Sequence, residues 1–291
     1  MSAEMDMTDS EWLNETLRIR CPDGKVPTKL FKFLSSDSKY FALAMHELML
    51  HNRIRLSSRT DFNDPFDTRF GLDIPDTPEV VANFIEGIVT RRDATDSVDG
   101  YVEKARKNPA KFREDIERSM GASLDAIGIY SFTEDVNHPL MWAHYANSHR
   151  GVALIFNHGT ADTFGAFPMR YQPHYPRAMI GKGGIPLYPV FVKGPDWEYE
   201  GEWRIANPDA AHTELELPTN HFAGIVFGAA ATQETYDFVL GLIRRRAAAK
   251  LPAISVYRAE AGESFDLDFF QFIGTEEWRP ATFVRVCAPK R

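Results

Sequence analysis

Cysteine is nearly absent from this chain: Cys21 and Cys287 are the two in 291 residues. No Cys-x-x-Cys pair occurs, which excludes a zinc knuckle or a disulfide scaffold and fits a reducing cytoplasm. No apolar run approaches the roughly 20 residues of a membrane helix, so no membrane partner is expected. Met1 to Asp9 is acidic and lacks an apolar stretch behind a positive cluster, so a secretory signal peptide is not expected either. Positive charge is in deficit, with 33 Lys and Arg against 41 Asp and Glu and a net charge of −8. General nucleic-acid binding needs a basic footprint and is therefore disfavoured. There is no internal repeat, and no glycine-rich dinucleotide fingerprint follows a strand. Gly181-Lys182-Gly183-Gly184 precedes a strand candidate and reads as a flexible loop. What is present is ordinary globular composition, 44% hydrophobic and 25% charged, with one excess: 21 Phe in a 12% aromatic chain. Aromatics line pockets, but more often they fill cores.

Residues 1–28 read as a polar lead-in. Ser10 is placed to cap a short helix to Leu17, and Cys21-Pro22-Asp23-Gly24 to make a turn. Leu30 to Leu34 is a compact apolar strand. Between Lys39 and Leu50, Phe41, Ala44, Met45 and Leu48 recur three or four apart, which predicts a helix with one apolar face. Arg53 to Ser57 alternates with period two, as a half-buried strand does. From about 75 to 120 the texture changes. Pro78 opens a helix striped by Val80, Phe84, Ile85 and Ile88, a second helical stretch covers 98–107, and Pro109 opens a third. The charges on these outer faces read as solvated. From Ala126 the chain is β-rich, with strands expected at 127–132, 151–156, 187–192, 203–206, 222–227 and 253–257. Pro189 assigns the third to a sheet edge. Thr232 caps a strong helix on which Tyr236, Val239, Leu240 and Ile243 share a face, with Arg244-Arg245-Arg246 in its last turns. The pattern predicts an α+β protein: a lead-in, then a single domain over 29–291 with a mixed or antiparallel β core and a helical insertion at about 75–120.

Three segments are locally unusual, and each has a plain explanation. Phe62-Asn63-Asp64-Pro65-Phe66-Asp67 sets turn formers between aromatics, as a rigid structural turn would. Ser131-Phe132-Thr133-Glu134 ends a strand, and a short helix from Pro139 places Trp142, Tyr145 and Ala146 on one face. That shelf suits a planar ring beside a ribose, and it equally suits a core helix. His144 and His149 are five apart and do not form an i, i+4 zinc pair, so they read as ordinary histidines. In Trp197 to Ile205, an extended chain would point Glu200, Glu202 and Arg204 to one face. Adjacent carboxylates repel, so one tends to a raised pKa unless Arg204 compensates. A surface Arg–Glu ladder gives the same pattern.

Taken together, these segments resemble the bacterial DUF2971 family, to which no reaction is attached. The resemblance rests on Phe31-Lys32-Phe33, Asn63 to Asp67, the block from Ser131 to Val152 with Met141-Trp142-Ala143-His144-Tyr145-Ala146, and Trp197 to Arg204. Phe227-Gly228 and the following helix also look like the family's late segment. The block order is more distantly similar to that of ADP-ribosyltransferases. Gly128 to Phe132, then Tyr145, then Gly151 to Ile155 is similar to that superfamily's middle part. Glu200-Gly201-Glu202 is similar to its Glu-x-Glu, and Lys32 stands where it carries His or Arg.

The resemblance implies a β core like that of ADP-ribosyltransferases and a small nucleotide substrate, NAD, with no metal. ADP-ribose would pass to an acceptor that the sequence leaves open, or to water. Glu202 would hold the ribose 2′-hydroxyl and steady the oxocarbenium-like cation, and Glu200 would deprotonate or position the acceptor. Tyr145 or Trp142 would stack on nicotinamide and Ser131 would anchor ribose. Lys32, with Asn63 and Asp64 of the loop, would meet the rest of the nucleotide. Two other classes compete. One is a non-catalytic binding module with Trp142, Tyr145, Trp197 and Trp203 as an aromatic recognition surface. The other is a metal-assisted phosphodiesterase using Asp64, Asp67, His144 and His149.

Overall fold

The computed structural model describes residues 8–73, 100, 103, 106–158, 165–179, 187–274 and 277–285. The stripe expected at 80–88, and most of the helical stretch at 98–107, lie outside them. Helix α1 (Asp9–Arg20) is capped by Thr8 rather than Ser10, and Glu11 closes the capping box. Strand β1 (Lys29–Leu34) and helix α2 (Phe41–His51) follow, and α2 ends on Asn52 at φ 53, a conformation asparagine tolerates. Two short strands, β2 (Arg53–Arg55) and β3 (Gly71–Asp73), precede helix α3 (Pro109–Asp125), which starts at the expected proline. Next come β4 (Gly128–Thr133), helix α4 (Pro139–Tyr145), β5 (Val152–Asn157), and the short strands β6 (Phe167–Pro168), β7 (Arg170–Tyr171), β8 (Arg177–Met179) and β9 (Val192–Lys193). The chain continues through β10 (Glu202–Asn207), β11 (Glu214–Glu216), β12 (Phe222–Phe227), helix α5 (Gln233–Ala248), β13 (Ser255–Ala261), β14 (Leu267–Phe272) and β15 (Trp278–Ala281). This is an α+β fold. Among the described residues, no helix is long and apolar enough to cross a membrane.

A nine-stranded sheet organises it, in the order β15-β14-β13-β12-β5-β1-β4-β10-β6. Strands β12 and β13 pair in parallel, which requires the crossover that α5 supplies. One sheet face carries a core built from Leu30, Phe132, Leu154, Phe156, Trp203 and Ile225, closed by Met45 and Leu48 of α2 and Val239 and Leu242 of α5. The other face divides. Phe31, Phe33, Ala153 and Val226 pack under α4, whereas Ile129 joins Trp12 of α1 and Phe191 in a separate cluster. Between these clusters the alternation on β4 and β10 brings up Ser131, Thr133, Glu202 and Arg204, with Glu202 opposite Thr133 and Arg204 opposite Ser131. Strands β1 and β4 register at one pair, Phe31 with Thr133, so the sheet is weakly joined there.

Three expectations are corrected. Residues 188–191 form a 3-10 turn rather than a strand, because Pro189 cannot donate to a ladder, and β9 begins only at Val192. Residues 195–200 are also 3-10, so Glu200 is not on the strand that carries Glu202 and Arg204. Cys21 is buried and disulfide-bonded, a cross-link that cysteine scarcity did not suggest. The cytoplasmic reading loses that support, since disulfides persist in oxidising compartments. Cys287 lies outside the described residues.

Candidate active site

The weak seam between β1 and β4 opens into a cleft of about 440 Å³, within the range of small-molecule sites. Phe31 to Phe33 line one side and Ser131 to Thr133 the other. Three further segments reach it. The first is the loop after β2. Ser58 caps the turn that starts it, Asp64 Oδ1 accepts from the Phe66 amide at 2.9 Å, and Arg59 holds Thr68 O and Asp125. These bonds fix the path that delivers Asp61, Phe62, Asn63 and Asp67 to the cleft. The second is α4, whose Met141, His144 and Tyr145 line it. The third is the stretch from β9 to β10, which supplies Lys193, Glu200, Glu202 and Arg204. Gly201 lies between the two glutamates at φ 52, where a Cβ would stand 3.0 Å from Glu134 Cγ. A side chain there would crowd Glu134 and strain the backbone, and the left-handed turn sets Glu200 and Glu202 on either side of Lys193.

The charges form one buried network. Arg204 is 1% exposed and makes a two-pronged contact with Asp67 at 2.9 and 2.6 Å. It also donates to Glu202 through Nε at 2.7 Å and to Val190 O at 2.8 Å. Lys193 bridges Glu200 and Glu202, at 2.9 Å to the latter, and lies 3.7 Å from Asp67. The Tyr145 hydroxyl donates to Glu200 Oε1 at 2.6 Å. Burial acts to raise the Glu202 carboxyl, but Arg204 and Lys193, with hydrogen bonds from Arg204 and Ser131, hold it well below the usual carboxylate range. Burial and the Glu202 charge push Glu200 the other way, above that range, against Lys193 and Tyr145. The pair is thus split into a fixed anion and a carboxyl that titrates high, the pattern of acid–base sites.

Lys32 differs from the other cations. It lines the cleft, and among the described residues it makes no ion pair or hydrogen bond. Its ammonium lies 4.9 Å over the Tyr130 ring. Burial lowers its pKa to about 8, although Glu202 pulls upward. A cation without an anion, at the edge of a pocket, suits a phosphate or another anionic ligand group.

The structure therefore brings Lys32, Asn63, Ser131, Tyr145, Glu200 and Glu202 to one cleft and leaves two candidates outside it. Trp142 is fully buried, with its indole N–H donating to Val136 O at 2.7 Å, so it is a core residue and offers no stacking surface. Asp64 serves its own turn and does not line the cleft. Trp203 is 1% exposed, so an aromatic surface of Trp142 and Trp203 is also excluded. Asp67 is committed to Arg204, and His149 does not line the cleft. The residues among those described that could jointly hold a metal are His46, Glu47 and His51 on α2, none of which lines the cleft. Sequence reasoning missed Lys193. Its signal was a lone lysine ending the apolar run Val190-Phe191-Val192. It also missed Asp67 as the partner of Arg204, a pairing across 137 residues that no local pattern shows. In comparisons with known proteins, no family, curated protein or solved structure matches this chain.

Proposed function

We propose that this cleft cleaves the nicotinamide–ribose bond of NAD, as an ADP-ribosyltransferase-like enzyme that passes ADP-ribose to an acceptor or to water. The observation that carries the reading is the convergence of Lys32, Ser131, Tyr145, Glu200 and Glu202, from separate stretches of chain, on one pocket. Departure of nicotinamide develops positive charge on the ribose, as glycoside cleavage does. A buried carboxylate pair set against fixed cations supplies preorganised negative charge where it develops. Tyr145 presents its ring to the cleft for the nicotinamide, Ser131 offers a hydroxyl for the ribose, and Lys32 faces the diphosphate.

The test is nicotinamide release from NAD by purified protein, beside calorimetric titration of NAD. Wild type should turn over, and the double variant E200Q/E202Q should lose about 10³-fold in rate while binding NAD within roughly threefold. Circular dichroism checks that the variant folds. The second reading, a module that binds an anion without reacting, is favoured by Lys32 standing free while the carboxylates are paired internally. NAD affinity without turnover in wild type would select it. Neither affinity nor turnover would end the nucleotide reading.

A further inference from the structure

We propose that Glu200 alone of the carboxylate pair meets the substrate, and that Glu202 is a positioning residue that never touches it. The proposal rests on the reading of the cleft as an NAD-cleaving site. An ionised carboxylate offers roughly four acceptor positions. Three donors occupy Glu202 at hydrogen-bond distance, Arg204 Nε at 2.7 Å on Oε1 and Arg204 Nη2 at 3.2 Å and Lys193 Nζ at 2.9 Å on Oε2, and all three are charged. A ribose hydroxyl would have to compete with these cations. Arg204 cannot easily yield, since Asp67 and Val190 O fix its other nitrogens. Glu200 receives two donors, the Tyr145 hydroxyl on Oε1 and Lys193 on Oε2, and it lines the cleft with acceptor capacity to spare. The donors, three charged ones on Glu202 against two on Glu200, and not burial separate the two, for both side chains are similarly enclosed.

In the hydrolytic step, the C1′–N bond breaks and its electron pair leaves on nicotinamide. The oxygen of a water forms the new bond to C1′, and the proton of that water goes to Glu200. The charged and titratable groups around Glu200 are Glu202, Lys193 with Asp67 behind it, Tyr145, Tyr199 and Lys32 across the cleft. The base must be ionised, so turnover should rise with pH through the titration of Glu200. The Glu202 charge raises that titration, so neutralising Glu202 lowers it.

Wild type, E200Q, E200D and E202Q are compared with NAD as the probe, recording nicotinamide release against pH. E200Q should lose between about 10² and 10⁴ in turnover, together with the acid limb of the profile, at unchanged NAD affinity. E200D should recover part of the loss. E202Q should keep measurable turnover with its acid limb moved to lower pH. Background turnover in E202Q, with the limb intact in E200Q, would overturn the assignment. A second arm needs no turnover. Carboxyl-carbon NMR of ¹³C-glutamate-labelled protein should show, beside the raised Glu134 that persists in every variant, a second glutamate titrating above the ordinary range, missing in E200Q and moved downward in E202Q. If wild type releases no nicotinamide, the NAD reading fails by itself. A spectrum with no such glutamate, or one unaffected by E202Q, overturns the division of labour.

Discussion

Two clusters of buried charge meet β10, and they differ in what they face. The first centres on Glu134, just past the end of β4. It accepts from Arg20 of α1 at 3.1 Å, from Arg285 near the C-terminus at 2.9 Å and from the Trp203 indole at 3.0 Å. Its donors come from distant parts of the chain, and none of its members lines the cleft. The second links Asp67, Lys193, Glu200, Glu202 and Arg204, and every member lines the cleft. Burial pushes the carboxyl upward in Glu134 and in Glu200 alike. A perturbed carboxyl therefore does not mark a site by itself, because structural ion networks perturb titration in the same way. What distinguishes the second cluster is access, together with a neighbouring cleft cation, Lys32, that has no anion partner among the described residues.

The largest expected effect tests whether the cleft network also holds the fold together. Arg204→Met strips Asp67 and Glu202 of their shared partner while both carboxylates stay largely buried. It should cost about 3–5 kcal/mol, read from the urea unfolding midpoint. Glu134→Gln should cost less, about 2 kcal/mol, because Arg20 and Arg285 keep an amide oxygen to donate to and one of them is partly solvated. The second variant should leave nicotinamide release and NAD affinity unchanged. Loss of turnover in folded Glu134→Gln protein would erase the distinction between a sealed clamp and an open site.

Local periodicity read much of this fold correctly. The helices beginning at Phe41, Pro109 and Gln233 follow from apolar spacing and capping residues, and the strands β4, β5, β10 and β12 from apolar runs between turns. It misread 187–192, where Pro189 turns an apolar run that suits a strand into a 3-10 turn, and the extended alternative for Glu200 fails because 195–200 is 3-10 as well. It did not reach β14 and β15, whose residues alternate with little burial. At the site, Glu200 and Glu202 stood out as neighbouring carboxylates, and Tyr145 and Ser131 as polar groups at element ends. Trp142 misled because a helix face that fills a core and one that lines a pocket carry the same residue types. Nothing local told that Arg204 pairs with Asp67, or that Lys193 would bridge both glutamates; those contacts are made by topology.

The smallest effect bears on Lys32, the cleft cation that makes no ion pair among the described residues. A bound diphosphate favours the ammonium form of Lys32, whose pKa burial has brought down to about 8. Affinity for NAD should therefore be full below that value and fall as the pH rises through it, by about tenfold in all once the charge is lost. The diphosphate of NAD keeps its charge across this range, so the dependence belongs to the protein. Lys32→Met should bind about tenfold more weakly at pH 7, a loss of about 1.4 kcal/mol, and show no such fall. Lys32→Arg should hold its affinity beyond pH 9, since a guanidinium stays protonated there. Calorimetric titration at pH 7, 8 and 9.5 separates the three proteins. A wild-type affinity that is flat with pH and equal to that of Lys32→Met would mean that Lys32 merely packs against Tyr130. The open cluster would then lack the feature that sets it apart from the sealed one.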